Sequence, residues 1–177
     1  YCYYKKFDFQ KAATNFRTYT KEAKKTDPRL PDAYLRMADS YLLTGGYLVA
    51  SEFYQSALKA GTKEADYALF QRAECLGLAG KKDQKIAQLQ QLLNKYPSSI
   101  YAENAQYEIA VTELQMEEYD KALTSLNGFI NEKPQSNLIP KAYLQKGLAY
   151  SNTDRNNEAI GVYKKVVSDY PGSEESI

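Results

Sequence analysis

Residues Tyr34-Leu-Arg-Met-Ala38-Asp-Ser-Tyr41 decide the fold, because they recur. They align without gaps to Leu69-Phe-Gln-Arg-Ala73-Glu-Cys-Leu76, Gln106-Tyr-Glu-Ile-Ala110-Val-Thr-Glu113 and Tyr143-Leu-Gln-Lys-Gly147-Leu-Ala-Tyr150. The small residues Ala38, Ala73, Ala110 and Gly147 stand 35, 37 and 37 positions apart. A period of this length is the mark of a stacked-repeat architecture. Twelve residues after each small residue comes Ala50, Lys85, Ala122 or Ala159, and four later Tyr54, Leu89, Leu126 or Tyr163. Three further on stand Ala57, Leu92, Phe129 and Val166. Apolar residues within each segment fall at helical spacing, as at Ile86, Leu89, Leu92 and Leu93. Breakers separate the segments: Gly45-Gly46, Gly80, and Asp154 with Asn156-Asn157. Pro97, Pro134 and Pro171 close the last three repeats, since a helix tends to end before a proline.

This pattern resembles the tetratricopeptide repeat, in which a small residue on the first helix of a pair lets the second approach closely. The resemblance implies an all-α, right-handed α-α superhelix of about five helix pairs, the first truncated. As one solenoid domain over 1–177, its repeats fall near 1–28, 29–62, 63–98, 99–135 and 136–172. In the first, Tyr3, Ala12, Phe16 and Tyr19 take the landmark positions. The chain opens inside an element, so it reads as a piece of a longer protein. The spacing predicts a stub at 1–5 and helices near 8–25, 31–44, 47–60, 65–79, 82–95, 100–115, 118–132, 138–152 and 156–169. A narrower resemblance lies in Asn94-Lys-Tyr-Pro-Ser-Ser-Ile-Tyr-Ala-Glu-Asn-Ala-Gln-Tyr107 and Val166-Val-Ser-Asp-Tyr-Pro-Gly-Ser-Glu174. These look like the bacterial envelope subgroup, of the Tol–Pal-associated periplasmic and outer-membrane-assembly lipoprotein type. That resemblance implies a periplasmic or outer-membrane-associated location. The alternative is cytoplasmic, towards which the two thiols point mildly.

Composition narrows the function classes. Lys and Arg total 23 and Asp and Glu 22, a net charge of +1, so no strong field draws in nucleic acid. The basic run Lys21-Glu22-Ala23-Lys24-Lys25 reads as a solvated helix end. No apolar run nears the roughly 20 residues a membrane span needs. Histidine is absent, which removes the commonest general base and metal ligand together. No nucleophile–base pair, glycine-rich phosphate loop or metal set is found, so no enzyme activity, cofactor or metal is expected. Tyrosine is abundant, 17 residues, and suits the half-buried positions that thin stacked helices offer.

Two local departures carry expectations. Lys85 stands where the other repeats carry alanine: either its stem lies along the helix pair with the ammonium in water, or the helices are splayed there. Cys2 and Cys75 occupy equivalent repeat positions, two after the small residue, which argues for small, buried packing roles out of disulfide reach.

The family resemblance implies a concave face lined by first helices, where a peptide or protein segment binds. Carried onto this sequence, that face holds Asp32, Leu35, Asp39, Leu42 and Leu43 in the second repeat, and Tyr67, Phe70, Glu74, Gly77 and Leu78 in the third. The fourth contributes Asn104, Tyr107, Val111, Leu114 and Gln115, and the fifth Lys141, Leu144, Leu148, Ser151 and Asn152. Their apolar core would form the kind of patch that marks a binding site, with Asp39 and Glu74 disfavouring acidic ligands. The function expected is a protein-interaction scaffold with a protein or peptide partner. A structural spacer is the alternative, associating end to end through Tyr1, Tyr3 and Tyr4.

Overall fold

In a computed structural model that describes residues 1–176, ten α-helices run in sequence, with no strand among the described residues. They are α1 (Cys2–Lys5), α2 (Phe9–Glu22), α3 (Leu30–Leu43), α4 (Tyr47–Lys59), α5 (Ala65–Leu78), α6 (Lys82–Lys95), α7 (Ala102–Gln115), α8 (Tyr119–Glu132), α9 (Ile139–Ser151) and α10 (Asn156–Asp169), before a 3-10 turn at Glu174–Ser176. Odd-numbered helices are the first, and even-numbered the second, of each pair. Helix α2 stops short of its expected end because Ala23 turns extended (φ −65°, ψ 138°). Lys24 and Lys25 therefore lie in the following turn, and only Lys21 sits in the last helical turn.

Two joints recur. Within each pair one residue takes a left-handed backbone: Phe7, Gly45, Gly80, Glu117 or Asp154, with φ between 59° and 80°. The next N–H then reaches back over the helix end, as Asp8 to Tyr3 O, Gly46 to Tyr41 O, Lys81 to Leu76 O, Glu118 to Glu113 O and Arg155 to Tyr150 O, all at 2.8–3.0 Å. This is the six-to-one bond of a Schellman cap, which satisfies a helix-end carbonyl. Between pairs, Tyr96, Lys133 and Tyr170 leave the helical region at φ near −130° ahead of their prolines, where helical backbone is disfavoured.

The chain divides into two compact units, Tyr1–Tyr101 and the residues from Ala102 onward. In the first, Ala12, Phe16, Ala33 and Met37 form one core, and Leu35, Ala38, Ala50, Tyr54, Ala57, Ala68 and Cys75 another. In the second, Ala110, Leu126, Phe129, Ile139 and Ala142 pack together, as do Leu114, Ala122, Leu123 and Ala149. Ala38 and Ala50 share one core, as the small-on-small reading expects, and Ala110 and Ala122 are both fully buried.

Lys85 follows the first of its two readings in part. Its stem lies along α5, where a Cβ on Gly77 would come within 2.7 Å of Lys85 Cδ. Its Nζ, however, pairs with Glu74 Oε1 at 3.1 Å rather than reaching into water. The pair α5–α6 thus replaces a small-residue contact with a glycine and a lysine stem. Cys75 is buried as expected, but Cys2 is exposed, because the four-residue α1 leaves that face open.

Candidate partner-binding faces

The first-helix positions divide by burial. Leu35 is fully enclosed, and Leu114 packs against α8 and α9. Both are core residues rather than surface contacts. Leu42 is half-buried against the α3–α4 core. The side chains left open are Leu43 at 59 % and Leu78 at 58 % in the first unit, and Leu144 at 37 % and Leu148 at 44 % in the second. Asn104 is exposed; Tyr67, Phe70, Glu74, Tyr107 and Val111 are half-buried. Tyr107 rests 6.1 Å from the Phe129 ring, and burial raises its hydroxyl pKa ahead of the charge of Glu108.

Asp39 corrects its sequence reading. It is buried and cannot meet a ligand directly. Its Oδ1 accepts the hydroxyls of Tyr54 at 2.7 Å and Tyr67 at 2.9 Å, and its Oδ2 accepts Tyr4 at 3.0 Å and Arg36 at 2.9 Å. One carboxylate thereby fixes residues from α1, α3, α4 and α5. Four donors meet the acceptor capacity of an ionised carboxyl, which is how a charge survives burial. Burial first, and then the Asp39 charge, push the Tyr54, Tyr67 and Tyr4 hydroxyls up from their ordinary value. Arg36 also reaches Asp32 at 3.2 Å and Glu64 at 3.0 Å. Burial opposes its charge, but Asp39, Glu64 and Asp32 together hold it firmly protonated. Glu74 is likewise committed, to Lys85.

Beside this hub, the loop after α6 folds back onto α5. Ser99 donates to Asp66 Oδ2 at 2.7 Å, and the Tyr101 N–H donates to Ser99 Oγ at 3.1 Å. The loop so held lays the Tyr101 ring on Phe70, centroids 5.2 Å apart and planes 20° off parallel, with Tyr67 6.0 Å away. Sequence reasoning chose Phe70 and Tyr67 but missed Tyr101, Ser99, Glu64 and Asp66. The signal was in Tyr96-Pro-Ser-Ser-Ile-Tyr101, read only as a subgroup signature.

Among the described residues no group of three or more His, Cys, Asp or Glu is placed to hold a metal ion, and no helix is long and apolar enough to cross a membrane. Burial, and then the charges of Glu74 and Asp39, push the Cys75 thiol up to about 12, far from a reactive thiolate.

Repeated helix pairs joined by the same cap, with small residues at their crossings, define a tetratricopeptide-type protein. Solved structures agree with that class. The chain is similar to YrrB, a TPR protein with an unusual peptide-binding site, at 14 % identity over 99 % of this chain and 84 % of that one, with a TM-score of 0.74. It is similar also to MamA, at 23 % identity over 93 % of this chain and 84 % of that one, with a TM-score of 0.76. At such identities the likeness speaks to fold. No curated protein matches it in sequence. The family model YfiO, outer membrane lipoprotein, matches residues 63–176, and the chain belongs to that family.

Proposed function

We propose that this chain is a protein-interaction scaffold of the bacterial cell envelope, acting on the periplasmic side of the outer membrane, and that it binds a partner segment along its first-helix faces. The observation that carries this reading is the exposure of Leu43, Leu78, Leu144 and Leu148 on first helices. YrrB lends support as a relative in fold that has a peptide-binding site. Within the first unit, affinity comes from aliphatic and aromatic side chains of the partner meeting Leu43, Leu78 and the half-buried Phe70; within the second, from those meeting Leu144, Leu148 and the half-buried Tyr107 and Val111. Membership in an outer membrane lipoprotein family supports the envelope setting.

Photo-crosslinking in intact cells tests it. A benzophenone side chain at Leu78 or Leu148 gives discrete protein adducts, while one at exposed Lys164 on α10 gives none. Adducts from all three positions alike, or from none, defeat the reading.

A spacer that self-associates is favoured by one observation: Tyr1, Tyr3 and Phe7 expose their rings together around α1. Tyr4 no longer belongs to that end surface, since its hydroxyl is turned onto Asp39. Light scattering separates the readings, because a spacer shows concentration-dependent mass that Tyr1→Ser with Phe7→Ser removes.

A further inference from the structure

We infer that the segment bound over α5 presents a cationic side chain, arginine or lysine, to the aromatic face of Tyr101 between Glu64 and Asp66. This rests on the partner-binding reading above and names the chemistry of the occupant. The surface in question is the half-exposed Phe70–Tyr101 stack with Tyr67 at its edge. Its shape is held rather than incidental, because Ser99 clips the Tyr101 loop to the first turn of α5.

Charge complementarity selects the occupant. Asp32, Asp39, Glu64 and Asp66 surround this end of α5, and Arg36 is the single guanidinium shared among the first three. Exposed Lys63 is the other cation next to them in sequence. Three carboxylates thus share the one Arg36 guanidinium, and the roughly half positive charge of the α5 N-terminus offsets part of the excess. Among the described residues Asp66 accepts from two neutral donors, the Ser99 hydroxyl and the Tyr67 N–H at 2.9 Å. Glu64 gives one oxygen to Arg36 and its side chain is half exposed. Burial first, and then the charges of Asp66 and Glu64, raise the Tyr101 hydroxyl pKa, as expected if both carboxylates lie near the ring.

Arg72, also on α5, does not fill the role. At 3.6 residues per turn it stands about 200° round the helix from Phe70. An incoming guanidinium or ammonium therefore gains a ring face and two carboxylates in one place, a combination that favours cations over neutral or acidic side chains. Acidic peptide tails meet repulsion at the same spot.

The test uses a random 12-residue peptide library displayed on phage and selected on the 177-residue chain. The inference expects selected peptides enriched in Arg or Lys, with affinity at least about tenfold weaker for the Glu64→Gln, Asp66→Asn double variant and falling as salt shortens the Debye length. Asparagine and glutamine keep the acceptor oxygens, and circular dichroism checks that helicity is unchanged. Replacing arginine by citrulline in a selected peptide costs a similar factor. Peptides that bind at Phe70 without a basic residue, or whose basic residue is indifferent to the double variant, overturn this inference and leave the scaffold reading intact. No selected peptide, or binding unaffected by Phe70→Glu and Leu78→Glu, overturns both.

Discussion

The ring of Tyr163 on α10 occupies the space that a Cβ on Gly147 of α9 would need. The other repeats resolve the same crossing differently. Leucine packs in one core with alanine at Leu126 and Ala110, and Leu89 and Ala73 are both buried at the equivalent positions, while Tyr54 shares a core with Ala38 and sends its hydroxyl to Asp39. The residue equivalent to Asp39 in the last repeat is Leu148, so Tyr163 has no carboxylate there to direct it, and it lies over the glycine instead.

Substituting Gly147→Ala should therefore destabilise the chain by about 1–3 kcal/mol, the usual cost of overpacking. The double variant Gly147→Ala, Tyr163→Leu recreates the pairing of the third and fourth repeats and should recover most of that loss. Urea unfolding of the two singles and the double gives the coupling energy. Additive costs would mean that the two side chains do not compete for one space.

Alkaline pH should loosen the Asp39 hub. Tyr54 and Tyr67 have folded pKa values raised above 10.0, so the stability they confer is full below that value. It is lost as pH rises, because the unfolded chain ionises first and the folded state must follow. Unfolding free energy should fall above about pH 10, and the slope should flatten in Tyr54→Phe with Tyr67→Phe. Asp39→Ala leaves three hydroxyls and the Arg36 guanidinium without their acceptor, and should cost about 3–5 kcal/mol at neutral pH.

At the left-handed joint of the fourth repeat, Glu117 has φ 62°. Glu117→Gly should raise stability by about 0.5–1 kcal/mol, the strain relieved outweighing the added freedom of the unfolded chain. Asp154→Gly should gain less, since aspartate tolerates this region better. Thermal melting of both variants checks the order.

The two thiols should be told apart by a disulfide-exchange reagent. Cys2 is exposed, while Cys75 is buried with its pKa pushed up to about 12. One equivalent should react quickly in the native chain and a second only in denaturant. Rapid labelling of both in native conditions would show that α5 is less tightly packed than described.

The helix pairs were legible from spacing alone, because stacking forces small and apolar residues to recur at fixed offsets. The joints were half legible. Gly45 and Gly80 announce a left-handed turn, whereas Phe7 and Glu117 adopt it against their own preference, held there by the pairs on either side. The candidate faces were legible as positions but not as environments. Nothing local distinguishes Leu35, which is enclosed, from Leu144, which is open. Asp39 looked like a surface acid, since its three tyrosine partners lie 35, 15 and 28 residues away in sequence. Tyr101 was missed because its place depends on the Ser99–Asp66 contact, which spans 33 residues.

In a solenoid whose repeats touch only their neighbours, each terminal pair can fray without the third noticing. The Asp39 carboxylate breaks that rule within the first unit, since Tyr4 of the first repeat and Tyr67 of the third share one acceptor. Losing α1 would strip the Tyr4 donor from Oδ2 of the same carboxylate whose Oδ1 holds Tyr67 of α5 in place. Amide exchange in α1 and α5 should therefore rise together in Tyr4→Phe, so that the end of the stack and the Tyr101 platform open as one cooperative element.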